Sequence, residues 1–235
     1  TPLVSTPLVS TPLVSTPLAS ELFGQAPQLQ FDAPASQSFP ALADFHPAVR
    51  TWFERTFPFG PTPPQEHAWP SIAAGNDTLV AAPTGSGKTL SAFLVSIDQL
   101  YKRHEAGTLT ANTAQVVYVS PLKALAVDIS ENLTRPLDQI AAVALELGYQ
   151  PPVLRVGVRS GDTTSSQRSS MVRKPPEFIV TTPESLYLMV TAEKSRNALR
   201  TVRTVIIDEI HAVARDKRGS HLTITLERLE HICRT

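Results

Sequence analysis

Residues 82–89 read APTGSGKT, preceded by the short run DTLVAA (77–82) and followed by Leu90, Phe93, Leu94, Ile97, Leu100 and Tyr101 at helical spacing. This order of apolar run, glycine loop and amphipathic helix narrows the possible folds more than any other stretch. Glycines let successive backbone N–H groups turn toward one anion, and the N-terminus of the following helix adds its dipole. The pattern predicts a phosphate cradle of Thr84, Gly85, Ser86 and Gly87, with Lys88 reaching the outer phosphates and Thr89 offering its hydroxyl to Mg2+. Such a loop is fed by a strand and opens a helix, which is the context of an α/β sheet.

The rest of the chain keeps that rhythm. QVVYVS (115–120), PVLRVGV (152–158), EFIVTT (177–182) and TVIIDE (204–209) are strand-like runs separated by helical stretches, and a last helix is expected over about residues 221–233. With residues 77–82 this makes five strands, and the expected fold is α/β, a mainly parallel sheet flanked by helices. Residues 1–20 are one pentamer written four times, TPLVS with a final TPLAS. Proline at that frequency removes backbone donors, and four leucines cannot offset the ordering entropy. Residues 1–44 are therefore expected to be a disordered low-complexity segment, and residues 45–235 the folded domain.

Charge balances at 21 Lys and Arg against 21 Asp and Glu. Residues 1–49 hold Glu21, Asp32 and Asp44 and no Lys or Arg, so the folded part has only a small cationic excess. Any nucleic-acid binding must rest on local placement of charge. The single cysteine, Cys233, excludes an internal disulfide and a cysteine-rich zinc site. No apolar run is long enough to span a bilayer, and the N-terminus lacks a basic leader, so a cytoplasmic location is expected.

A second acidic site follows at VIIDEIH. Three apolar residues run into Asp208 and Glu209, placing both acids at the carboxyl mouth of a strand, where ligands bind in α/β sheets. Asp208 is suited to hold Mg2+ through water, and Glu209 to orient and deprotonate the attacking water. With the phosphate loop, the pair points to ATP hydrolysis over nucleotide binding alone.

Read in order, PTPPQ (61–65), APTGSGKT, YVSPLKALA (118–126), VRSGDT (158–163), TTPESL (181–186) and DEIHAVARDKRGSHL (208–222) resemble successive motifs of a superfamily two helicase. SPLKALA, GDT, TTPESLYLM, and DEIH followed by KRG and LERL are similar to the large helicase-related (Lhr) family. The resemblance implies the first RecA-like P-loop domain of a DExH-box ATP-dependent DNA helicase, with single-strand translocation, duplex unwinding and a part in DNA repair. It implies that Gln65 reads the adenine edge, although a polar cap for the following helix is an alternative use of that amide. Phe45 and Phe59 are candidates to pack on the adenine, though an aromatic there is more often core. Pro121, Leu122 and Lys123, then Gly161, Asp162 and Thr163, then Thr182, Pro183 and Glu184 are implied to line a single strand. Arg155, Arg159, Arg168, Arg173 and Lys174 cluster in sequence around the second group, equally readable as a phosphate-facing patch or a solvated face. His211 is implied to couple hydrolysis to the next motif.

That next motif, Ser-Ala-Thr, does not occur in the 235 residues, nor does the second RecA-like domain that would supply an arginine to the γ-phosphate. The expectation is a sheet truncated before the Ser-Ala-Thr strand, in which residues 77–82 and 204–209 do not pair directly. ATP binding with very slow hydrolysis is expected to accompany it. A non-catalytic ATP-dependent nucleic-acid-binding module and an RNA helicase are the alternative readings.

Overall fold

Four of the five β-branched runs form strands: β1 (Val116–Val119), β2 (Val156–Arg159), β3 (Phe178–Thr181) and β4 (Thr204–Ile207). They make one parallel sheet in the order β2-β3-β1-β4. The computed structural model describes residues 39–83, 87–121, 123–214 and 216–234, without the side chains of residues 123–129 and 131. The pentamer repeat and the rest of residues 1–38 lie outside the described residues.

Alternation along the strands splits the core in two. Val116, Tyr118, Phe178 and Val180 face one buried cluster, while Val117, Val119 and Ile179 face the other. A sheet buried on both faces needs helices on both, and the sequence supplies them. On the first side lie α1 (Pro47–Thr56), α2 (Pro63–Ala73), α3 (Lys88–Glu105) and α4 (Lys123–Glu146), contributing Trp52, Phe53, Trp69, Phe93, Ile97, Tyr101 and Ile140. On the second lie α6 (Pro183–Thr191) and α8 (Lys217–Arg234), contributing Leu186, Met189, Leu222, Leu229 and Ile232. Two shorter helices, α5 (Ser165–Arg173) and α7 (Glu193–Ala198), precede β3 and β4. Packing reaches N-terminally of residue 45: a 3-10 turn at Pro40–Leu42 buries Leu42 completely, and Phe39 packs against the same cluster.

The helix starts are written in the sequence. Proline occupies the first turn of α1, α2 and α6, where its missing N–H has no cost. Thr164 and Gln167 form a capping box on α5, and Thr182 Oγ accepts from Ser185 N at 3.3 Å to cap α6.

Residues 77–82 depart from expectation, because they are not a strand and the described sheet has four strands where five were expected. A strand requires a neighbour for its N–H and C=O groups. Among the described residues β4 ends the sheet with only β1 beside it, and residues 77–82 do not pair with β4. Left unpaired, the segment exposes Leu79 to 79% of its full area.

Candidate nucleotide site and nucleic-acid path

The register brings four loops to one rim. Val119 pairs with Thr181 and with Ile207, and Thr181 pairs with Arg159, so all four strands finish level at their carboxyl ends. At strand spacings of about 4.8 Å, the loop after β2 carries Gly161, Asp162 and Thr163. The loop after β3 carries Thr182, Pro183 and Glu184, that after β1 carries Pro121, and that after β4 carries Asp208 and Glu209.

Asp208 is held from two sides. Its Oδ1 accepts from Glu209 N at 2.9 Å, and its Oδ2 accepts from the Tyr118 hydroxyl. Tyr118 is almost fully buried in β1 and stacks on Phe93 of α3, with ring centroids 5.0 Å apart and planes 20° from parallel. Burial first, then the hydrogen bond to Asp208, push the Tyr118 phenol well above its usual range, so it remains a donor. Phe93 belongs to the helix that Lys88 opens. A packed path therefore links the phosphate-loop helix to the strand-end acid through Phe93 and Tyr118. Sequence reasoning missed Tyr118, because a tyrosine in a β-branched run reads as an ordinary core position.

Glu209 has a left-handed φ of +46°, unusual for a residue with a side chain, and its carboxylate lies 3.2 Å from His211 Nδ1. Both side chains are open to solvent. The structure thus brings Asp208, Glu209 and His211 together in one turn.

Lys88 does not touch the acids among the described residues. Its Nζ donates to Ala82 O at 2.5 Å and to Pro83 O at 2.7 Å. Thr89 is exposed in the first turn of the same helix. Gln65 is buried: its Oε1 accepts from Thr62 N at 2.9 Å, and its Nε2 donates to Gly87 O at 3.4 Å. The amide thus serves as the helix cap and also contacts the phosphate loop. Gly87 has φ +78°, a conformation that calls for glycine, and a Cβ there would sit 2.5 Å from Gln65 Nε2 and displace that amide. The readings of Thr84, Gly85, Ser86 and Leu122, and of the Lys123 side chain, lie outside the described residues. Of the two aromatic candidates, Phe45 is core, edge-on to Trp69, and Phe59 is fully exposed.

The cationic cluster divides by contact. Arg155 is consumed by Glu177, with Nη2 3.1 Å from Oε1, and by Pro175 O. Arg168 instead ties the loop after β2, donating through Nε to Thr163 O at 2.7 Å and through Nη2 to Gly161 O at 3.1 Å. Thr163 Oγ in turn accepts from Ser160 N at 2.8 Å. Arg159, at the end of β2, has a buried Nη1 with no hydrogen-bond partner among the described residues, beside that loop. A residue outside the expected set joins two of the others: Arg218, in the first turn of α8, donates to Glu184 Oε1 at 2.8 Å and to Pro121 O at 3.0 Å.

A family model described as DEAD/DEAH box helicase matches residues 62–235. An Lhr helicase/probable uracil glycosylase of Mycolicibacterium smegmatis is 52% identical over 194 residues, covering 83% of this chain and 12% of the relative. The ATP-dependent helicase Lhr-Core protein 2 of Thermococcus barophilus is 48% identical over 184 residues, covering 78% of this chain and 21% of the relative. The chain thus spans under a quarter of the length of these curated relatives. Among solved structures, Mycobacterium smegmatis helicase Lhr bound to ssDNA and AMP-PNP superposes with a TM-score of 0.75 at 52% identity, over 82% of this chain and 24% of that one. The helicase MrfA bound to DNA and AMPPNP gives 0.67 at 21% identity, over 84% of this chain and 25% of that one, which is a likeness of fold alone.

Proposed function

Since the chain belongs to the DEAD/DEAH box helicase family, we propose that it is the first RecA-like motor domain of an Lhr-type ATP-dependent DNA helicase. It binds ATP on the phosphate loop and a single strand on the loops after β1, β2 and β3. In the whole protein, with a second RecA-like domain, this drives single-strand translocation and duplex unwinding. The observation that carries the reading is the level rim: one register sets the strand-end acids and three strand-path loops side by side. DNA is favoured as partner because the similar Lhr structure, at 52% identity, is bound to ssDNA.

The residues fit a magnesium nucleotide. Asp208 offers a carboxylate already steered by Tyr118 and Glu209, and Thr89 offers an exposed hydroxyl on the first turn of α3. Two hard oxygen ligands suit Mg2+, which keeps several waters and takes the rest of its shell from phosphates. Bound there, Mg2+ would neutralise charge on the phosphates. Lys88 exchanges the carbonyls of Ala82 and Pro83 for phosphate oxygens. Gln65, whose amide caps α2 and meets Gly87 O, is the candidate to read the adenine edge. Glu209 orients the attacking water and takes its proton, and His211, already on the Glu209 carboxylate, passes that state to the following motif.

At the strand path, Thr163, Thr182 and the backbone beside Pro121, Gly161 and Pro183 are expected to meet phosphates with Arg159 and Arg168 behind them. Such contacts position a strand without reading its sequence. Asp162, between Gly161 and Thr163 in the loop after β2, belongs to the same proposed path. The test is binding of a fluorescent ATP analogue and of a labelled oligothymidylate by this chain. Both are expected to bind, and Lys88→Ala is expected to weaken the nucleotide at least about tenfold, the scale of a lost charge-assisted contact, with little effect on the oligonucleotide. Failure of the unaltered chain to bind either ligand overturns the reading.

A further inference from the structure

Glu184 is an awkward member of a strand path, because a carboxylate repels phosphates. We propose that Arg218 is the positioning residue of the path: it neutralises Glu184 and holds the Pro121 carbonyl, so that Glu184 ties the loops together instead of touching the strand. This rests on the nucleic-acid reading above.

The geometry supports a clasp. One guanidinium joins the loop after β3 through Nε and the loop after β1 through Nη2, at 2.8 and 3.0 Å. Its own position is fixed from the third side. Asp216 Oδ1 caps α8 by accepting from Arg218 N at 2.8 Å and Gly219 N at 3.2 Å. A Cβ at residue 219 would lie 2.3 Å from Val213 O, so only glycine lets α8 start this close to the turn that follows the strand-end acids. The KRG sequence after DEIH thus acquires a physical reason: Gly219 allows the approach and Arg218 uses it.

Burial alone would raise the Glu184 carboxyl, but hydrogen bonds from Arg218, from its own backbone N–H and from Thr182 hold it below its usual range. Its place in the first turn of α6 favours the same ionised state. Both side chains are substantially exposed, 39% for Arg218 and 56% for Glu184, and ion pairs in that setting add little to folding stability. The pair therefore has its main effect on what approaches the rim. A planar fork serving two acceptors in different directions is also a task for which lysine is a poor substitute.

The test is a double-mutant cycle on this chain, read by anisotropy of a labelled oligothymidylate over a salt series. Arg218→Ala is expected to weaken binding about tenfold by leaving Glu184 bare. Glu184→Gln alone is expected to stay within about twofold, since Arg218 keeps the Pro121 carbonyl and the Gln amide oxygen can still accept from it, and the double variant to return within about threefold of the unaltered chain. Arg218→Lys should fall between, keeping the charge but losing the Pro121 tie. The proposal is overturned if the double variant stays as weak as Arg218→Ala while the slope of log affinity against log salt falls by about one, since Arg218 would then be touching a phosphate itself. Equal affinity in all variants overturns it too, and reduces the pair to a surface ion pair. If Arg218→Ala loses its helical circular dichroism, Arg218→Gln provides the same comparison. Absence of oligonucleotide binding by the unaltered chain removes the nucleic-acid reading and this inference with it, whereas failure of rescue in a chain that binds removes only the inference.

Discussion

At the residue scale, the hydroxyl of Tyr118 fixes one carboxylate oxygen of Asp208 while the backbone of Glu209 fixes the other. Tyr118→Phe removes that donor and keeps the ring on Phe93. A lost hydrogen bond to a charged group is worth about 1.5–3 kcal/mol at most, with ordinary bonds near 1 kcal/mol. The Mg2+ concentration needed for half-maximal nucleotide binding is therefore expected to rise about fivefold, with binding in EDTA unchanged; titration of a fluorescent nucleotide with Mg2+ measures both. Equal Mg2+ requirements would show that Tyr118 only packs. That Asp208, Glu209 and His211 follow one strand end, and that the loops after β1, β2 and β3 open on the same rim, was legible in the sequence, because each motif needs its residue types at fixed spacing. Tyr118 and Arg218 were not. The first hides in an apolar pattern, and the second acts across 34 positions of chain to Glu184, a pairing that spacing does not encode.

At the element scale, the same contrast explains the strand that was expected and does not form. DTLVAA has the composition of a buried strand, but composition describes a face and not a partner. β1, lying between β3 and β4, is fully buried, whereas β4 borders β1 alone and leaves Val205 37% exposed. Thr204 N donates to Gln115 O, just before β1, and Asp208 N to Val119 O in it. The two-residue period of a parallel ladder then turns Ile206 N inward as well, and Val205 N and Ile207 N toward the open edge. Amide hydrogen exchange is expected to be at least about a hundredfold faster at Val205 and Ile207 than at Ile206, as local opening free energies differ between paired and unpaired amides. Matching protection at all three would mean that another strand covers this edge. The two-sided core, by contrast, was foreseeable, since the alternation of Val116, Val117, Tyr118 and Val119 assigns each residue to a face whatever its neighbours are.

At the scale of the whole molecule, one sheet register does the organising. A single parallel set of strands ends level, so residues far apart in sequence meet along a rim with Asp208 and Glu209 at the β4 end and the loop carrying Gly161 and Thr163 at the β2 end. The family resemblance adds an arginine from a second domain, and such a group contributes on the order of 10³ to 10⁵ in rate. ATP turnover by this chain with oligothymidylate present is expected to be at least about a thousandfold slower than turnover by a protein that includes the second domain. Robust strand-stimulated phosphate release from this chain alone would contradict it. Among the described residues, no helix is long and apolar enough to cross a membrane.

The ammonium of Lys88, seated on the carbonyls of Ala82 and Pro83, makes the resting loop its own competitor. A newcomer must outbid two main-chain oxygens for that cation before it gains anything from it. Molecules with one phosphate are poorly equipped for the exchange, whereas a tail of three charged groups can take over the lysine while still engaging the helix N-terminus. On the proposed function, discrimination by length of the phosphate tail is the expected consequence of where that one side chain sits.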